Sequence, residues 1–149
     1  MKIFQTTIPL IAIILFTKCG PSYTPIEIKG GKHGGIYEVT DSGTEYKFYN
    51  NTQTFKLNIS TFISFNDFEW AQSANSDEGN YVLNFKLSES GALKLKQLSE
   101  RNLQKQICLV VDSKIMAAPT IQTAITNGLV TLTIPDKKAF DEIIVYLEK

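Results

Sequence analysis

The 149-residue sequence is short of the residues that most active-site chemistry requires. Its two cysteines, Cys19 and Cys108, are far apart, so no close pair or cluster points to a metal or redox site. Its one histidine, His33, lies among glycines, and no motif ties a nucleophile or ligand set to it. Neither charge is in excess: 15 basic residues face 15 acidic ones, and without residues 1–18, which hold Lys2 and Lys18, the balance is 13 against 15. Such a balance gives no electrostatic reason to expect nucleic acid as a partner. There is no internal repeat and no low-complexity segment. Beyond residue 16 no apolar run approaches the ~20 residues that span a bilayer.

The one long apolar run stands at the start. Met1-Lys2 is positive, and Ile3 to Phe16 is uncharged and rich in Ile and Leu. The run is short for a span and carries Pro9, which disfavours a regular helix. Residues 1–18 therefore read as a signal peptide. Cys19-Gly20 follows, in a setting that resembles a bacterial lipoprotein signal. That resemblance implies lipidation of Cys19, a tether over 19–23 and a place on the periplasmic side of the cell envelope. Lys18 stands where such signals prefer a small residue, so an uncleaved anchor and cleavage without lipid stay open. All three export the rest of the chain. Cys108 lies in the apolar string Ile107 to Val111 and reads as an inert core cysteine, with a disulfide to Cys19 as the other assignment.

Thr24 to Lys29 reads as a first strand, which Pro25 confines to an edge. Gly30 to Gly35 reads as a hairpin connection, because a strand and not a helix follows it, which argues against a phosphate cradle. Thr40 to Gly43 reads as a turn, and Glu45–Tyr49 and Thr54–Ile59 as strands joined at Asn50-Asn51. Asn66 is expected to cap a short helix over Asp67–Ala71, and 73–80 to form a loop.

The second half has stronger periodicity. Tyr81, Leu83, Phe85 and Leu87 alternate with Val82, Asn84 and Lys86 as in a strand with one apolar face. Ser88 caps a helix over 89–103 carrying Ala92, Leu95 and Leu98. Ile107–Val111 and Lys114–Ala117 form two strands around Asp112-Ser113, where Asp-Gly would suit a two-residue turn better. Leu129–Ile134 is another strand. Pro135 suits the start of a last helix bearing Ala139, Phe140, Ile143, Ile144 and Leu147. The fold class is α+β: an antiparallel four-stranded sheet with two helices on one face over 62–149, preceded by a β-rich segment over 24–61.

Particular residues carry a family likeness. Phe85-Lys86-Leu87-Ser88 leads to Gly91-Ala92, then Ser99 and Asn102. The string Ile107 to Asp112 is followed by Ile115-Met116-Ala117-Ala118-Pro119, then Ala124-Ile125-Thr126 and Gly128. This stretch resembles the head of the first periplasmic domain of SecD, a subunit of the protein-export machinery. The likeness covers roughly 62–149 and fades toward Thr24. Ser113 replaces the usual glycine after Asp112, and Gly128 alone represents the glycines expected before the last strand. With no membrane-spanning run after Cys19, the likeness carries the fold and a binding surface, but not SecD's proton-driven motor.

The resemblance implies exported polypeptide or Sec translocase components as partners, a membrane contact through the N-terminal lipid, no nucleic acid and no cofactor. The alternative is a structural or interaction lipoprotein that uses the same fold for an unrelated envelope partner. No enzyme is expected. His33 reads as solvated, Asp112 as a turn residue, Ser88 and Ser99 as capping and packing residues, and Asp67, Glu69, Asp77 and Glu78 as surface acids. The candidate polypeptide-binding residues are Phe65, Phe68, Trp70, Ile115, Met116 and Pro119. The aromatics serve this role only where they escape the core. Exposed sheet edges offer a second route, through backbone hydrogen bonds.

Overall fold

The computed structural model describes residues 23–75 and 79–149. The signal segment, Cys19, most of the tether, and Asp77 and Glu78 lie outside the described residues. Eight strands and two helices follow in the order β1 (Thr24–Ile26), β2 (Gly34–Phe48), β3 (Thr54–Ser64), β4 (Phe68–Asn75), β5 (Tyr81–Leu87), α1 (Glu89–Arg101), β6 (Ile107–Val111), β7 (Lys114–Ala117), β8 (Leu129–Ile134) and α2 (Lys137–Glu148). Among the described residues no helix is long and apolar enough to cross a membrane.

The α+β class and the two helices are as the sequence indicates, but the strands divide between two sheets. One has the order β1-β4-β5-β8 and the other β3-β2-β6-β7. The single sheet expected from β5, β6, β7 and β8 is corrected by β6. All five of its residues are buried. Ile107, Leu109 and Val111 join the main core, while Cys108 and Val110 join a second, smaller one. A strand apolar on both faces needs cover on both, and the second sheet supplies the other cover by bending so that β2 and β3 curl over Cys108 and Val110. The expected division at 61/62 falls inside β3.

The main core gathers the inner faces of both sheets and both helices. α1 packs on β3 and β5, and α2 on β1 and β8. Ser88 caps α1 by accepting from the Gly91 N–H. Gly91 lets the helix approach the 3-10 turn Phe65–Asp67: a Cβ there would lie 2.7 Å from the Asp67 carbonyl oxygen. Asp136 caps α2 by accepting from the Lys138 N–H. The expected helix over Asp67–Ala71 does not form. That stretch ends the 3-10 turn and begins β4, which pairs with β5 from Phe68↔Leu87 onward, around a bulge near Trp70. The apolar face of β5 needs an antiparallel neighbour, and that pairing overrides a local capping signal.

The residues read as a turn at 40–43 instead form an excursion within one strand, β2. Leu57 is opposite both Val39 and Thr44 across it. Gly43 permits the bend, since a Cβ would sit 2.1 Å from the Leu57 carbonyl oxygen. The bend brings the end of β2 back, so that Lys47 and Phe48 pair in parallel with Lys114 and Ile115 of β7. The second sheet thereby closes on itself around Tyr37, Leu57, Cys108, Val110 and Ile115. Tyr37 stacks on Phe62 at 4.5 Å inside it. Burial pushes the free Cys108 thiol up to about 12. The glycine-rich loop is not a hairpin, because β1 pairs with β4 and β2 pairs with β3 and β6. With three residues and Pro25, β1 caps the edge of the first sheet, and the loop crosses between sheets. Tyr146 Oη holds the loop there, accepting from the His33 N–H and donating to its carbonyl.

Candidate functional site

The six candidate binding residues do not share one surface. Phe65 and Phe68 are buried, their rings 5.2 Å apart, with Phe68 edge-on to Phe85. Ile115 lies inside the small closed sheet, and Met116 is buried in the main core. Burial therefore takes Phe65, Phe68, Ile115 and most of Met116 off the surface. Trp70 stands by itself on β4, 37% exposed and opposite Lys86. Only Met116 and Pro119 come together at an opening.

That opening is a groove of about 580 Å³ between the end of β7 and the outer edge of β8. Three chain runs wall it, residues 48–51, 116–119 and 131–135, and none of the lining residues is charged. Successive residues of a strand point to opposite faces. A wall made of consecutive residues is therefore largely main chain. Thr131, Thr133, Tyr49 and Pro135 are among the lining residues the sequence reading missed, since none stood out as a binding residue in its own segment.

One end of the groove is tied by a side-chain bond. Tyr49 Oη donates to Asp136 Oδ2, joining the tip of β2 to the cap of α2. Burial and then the Asp136 carboxylate push the Tyr49 hydroxyl up to about 12. The same bond, followed by the Lys138 N–H, holds the Asp136 carboxyl below its usual range.

The other polar residues serve the frame. Glu38 accepts from Asn102 Nδ2 at 2.7 Å, from Arg101 Nε at 3.1 Å and from Asn58 Nδ2 at 3.4 Å. Burial raises its pKa, but these hydrogen bonds outweigh that and hold the carboxyl below its usual range. Asp67, read as a surface acid, bonds Lys94 Nζ at 2.8 Å beneath α1. Asp112 and Ser113 form the β6–β7 turn, both at positive φ.

The residues of the family likeness now have physical roles. Ser99 Oγ accepts from the Ile125 N–H at 2.9 Å. Asn102 ties α1 to Glu38 of β2. A Cβ on Gly128 would meet Ala92 Cβ at 2.7 Å. Ser99 and Gly128 seat the 118–128 connector on α1, and that connector begins at the groove wall. The family model described as SecDF, P1 head subdomain, matches residues 41–139. The chain belongs to this family. Its SecD relatives include the protein translocase subunit SecD of Acidaminococcus fermentans, 29% identical over 73 residues, which are 49% of this chain and 18% of that one. The SecD of Anaeromyxobacter dehalogenans is 37% identical over 62 residues, 41% of this chain and 10% of that one. The aligned regions thus cover less than a fifth of either relative. A solved structure of the membrane component SecDF, which enhances protein export, shares the fold at TM-score 0.54 and 17% identity, over 77% of this chain and 61% of that one. SecDF in a super-membrane-facing form matches at TM-score 0.55 and 17% identity, over 77% of this chain and 18% of that one.

Proposed function

We propose that this protein is a bacterial envelope lipoprotein, held by a lipid on Cys19 at the periplasmic side, whose SecDF P1 head domain holds segments of exported polypeptide. Its role is binding, without catalysis and without proton-driven movement. The observation that carries this reading is the uncharged groove between β7 and β8, walled by main chain, one wall of which, 116–119, belongs to the SecD likeness. An uncharged, main-chain-lined groove suits a ligand whose sequence varies, because every polypeptide offers the same backbone. The anchor is supported by the positive start, the apolar run and Cys19-Gly20. β1, where the described chain begins, lies at the edge of the first sheet opposite β8, so a tether there leaves the groove clear.

A photocrosslinking residue placed at Tyr49 in the full chain, activated in growing cells, tests the reading. Exported chains, alone or with Sec translocase subunits, are the expected products; recovery of neither overturns it. Mass spectrometry of the mature N-terminus is expected to find a diacylated or triacylated Cys19, and an unmodified terminus would remove the anchor.

A further inference from the structure

The hydrogen-bond phase of β8 shows how such a chain would be held. β8 pairs with β5 antiparallel, from Tyr81↔Ile134 to Lys86↔Leu129. One residue beyond the ladder, the Leu87 N–H donates to the Gly128 carbonyl at 2.9 Å. In an antiparallel pair, directly opposed residues alternate between those that exchange bonds and those whose N–H and C=O point away. Leu87 and Gly128 are a bonded pair, so Val130, Leu132 and Ile134 also turn their main chain to β5. Leu129, Thr131 and Thr133 turn theirs to the open edge. Thr131 and Thr133 are the two of these that line the groove.

The side chains do not obstruct that edge. Thr131 Oγ1 donates to Asn84 Oδ1 at 2.7 Å, across the sheet on the β5 side. Pro135 has no N–H and ends the row of donors. The edge is short, uncharged and rich in β-formers, and it faces a groove instead of open solvent. Edge strands are commonly blunted by charge, proline or cover. β1 is blunted by Pro25, whereas the lysines nearest β8 in sequence lie beyond Pro135, on α2.

We propose that β8 captures extended, uncharged polypeptide by strand addition, through the N–H and C=O groups of Thr131 and Thr133. The proposal rests on the polypeptide-holding reading and gives its mode. The first sheet would gain a fifth strand of about five residues, roughly 17 Å long at the usual strand rise. The absence of charge in the lining selects a neutral segment, since a charged side chain entering it would lose water without a partner. Recognition through the backbone tolerates varied sequence, with small or apolar residues preferred at the alternate positions that meet Met116 and Pro119.

The test uses the full chain and a capped, uncharged eight-residue Val/Thr/Ser peptide, with a twin N-methylated at four consecutive central residues, which blocks both of its edges. Fluorescence anisotropy is expected to show binding of the first peptide, weakened about tenfold or more for the twin, because two or more main-chain bonds are removed. Amide exchange at Thr131 and Thr133 is expected to slow on binding. Thr133→Pro deletes one outward donor and is expected to weaken binding by a similar factor, with its circular dichroism unchanged. Equal affinity for the two peptides overturns strand addition and leaves polypeptide holding intact. No binding of either peptide also overturns it, and crosslinks from Tyr49 then decide separately whether the holding reading survives. A second copy as the occupant would appear as a concentration-dependent dimer abolished by Thr133→Pro, and that result too would overturn the proposal.

Discussion

Ser113 takes φ +63° and Asp112 φ +48°, so both central residues of the β6–β7 turn adopt the left-handed conformation of a type I′ hairpin. Aspartate tolerates that region, whereas serine adopts it at a cost that glycine avoids. Ser113→Gly is therefore expected to stabilise the protein by about 0.5–1 kcal/mol, read as a higher urea midpoint with an unchanged slope. Glu38 makes an opposite, pH-dependent case. Its carboxyl is held low in the folded state. Such a group contributes stability that is complete above its unfolded pKa, roughly 4.3, and is lost as the pH falls through the folded value. Glu38→Gln should lower the urea midpoint at neutral pH. The gap to the parent protein should narrow steadily as the pH falls below the unfolded value and through the lower folded one. A gap of constant size would show that the glutamine costs shape and not charge.

Helix α1 sets two effects of one residue against each other. Replacing Gly91 by alanine gains up to about 1 kcal/mol of helix propensity. It also drives a Cβ to 2.7 Å from the Asp67 carbonyl, which is backbone and cannot swing aside. Overpacking of this kind costs about 1–3 kcal/mol, so Gly91→Ala is expected to lower stability by about 1 kcal/mol net in urea denaturation. Elements of this sort were legible in the sequence wherever the pattern was local: α1 through its Ser88 cap and stripe, α2 through its stripe alone, since its cap is Asp136 and Pro135 stands just outside the helix, β5 through alternation, and β6 and β7 through a two-residue turn. Pairing was not legible, because it depends on which distant strand covers an apolar face. β6 is buried on both sides, and nothing in Ile107 to Val111 says that it pairs with β2 in a sheet that closes over it. The 40–43 stretch reads as a turn since it has turn residues, yet its strand continues after the bend. The groove was invisible for a related reason. It is made of main-chain edges from three separate segments, and Thr131 and Thr133 carry no distinguishing side-chain chemistry.

At the scale of the whole molecule, two sheets must keep a fixed separation for the groove to exist. α1 and the 118–128 connector hold one side, through Ser99 and Gly128. The other side depends on the bent tip of β2, whose β7 pairing extends only to Phe48, with one further bond from the Tyr49 N–H to the Ile115 carbonyl. Beyond that point Tyr49 Oη on Asp136 is the tie to the first sheet's helix. Tyr49→Phe keeps the ring and its packing but removes the tie, leaving the ladders of both sheets whole. Amide exchange is then expected to quicken several-fold at residues 48–53 while the core strands β5 and β6 stay protected, as for local opening of a weakly held unit. Asp136→Asn also removes the charge from the tie but can still cap α2, so it should reproduce the effect in 48–53 without fraying the helix. If both variants leave exchange in 48–53 unchanged, the β7 pairing alone fixes that wall. The groove would then be a rigid feature of the closed sheet, and its width would not depend on any contact between the two halves.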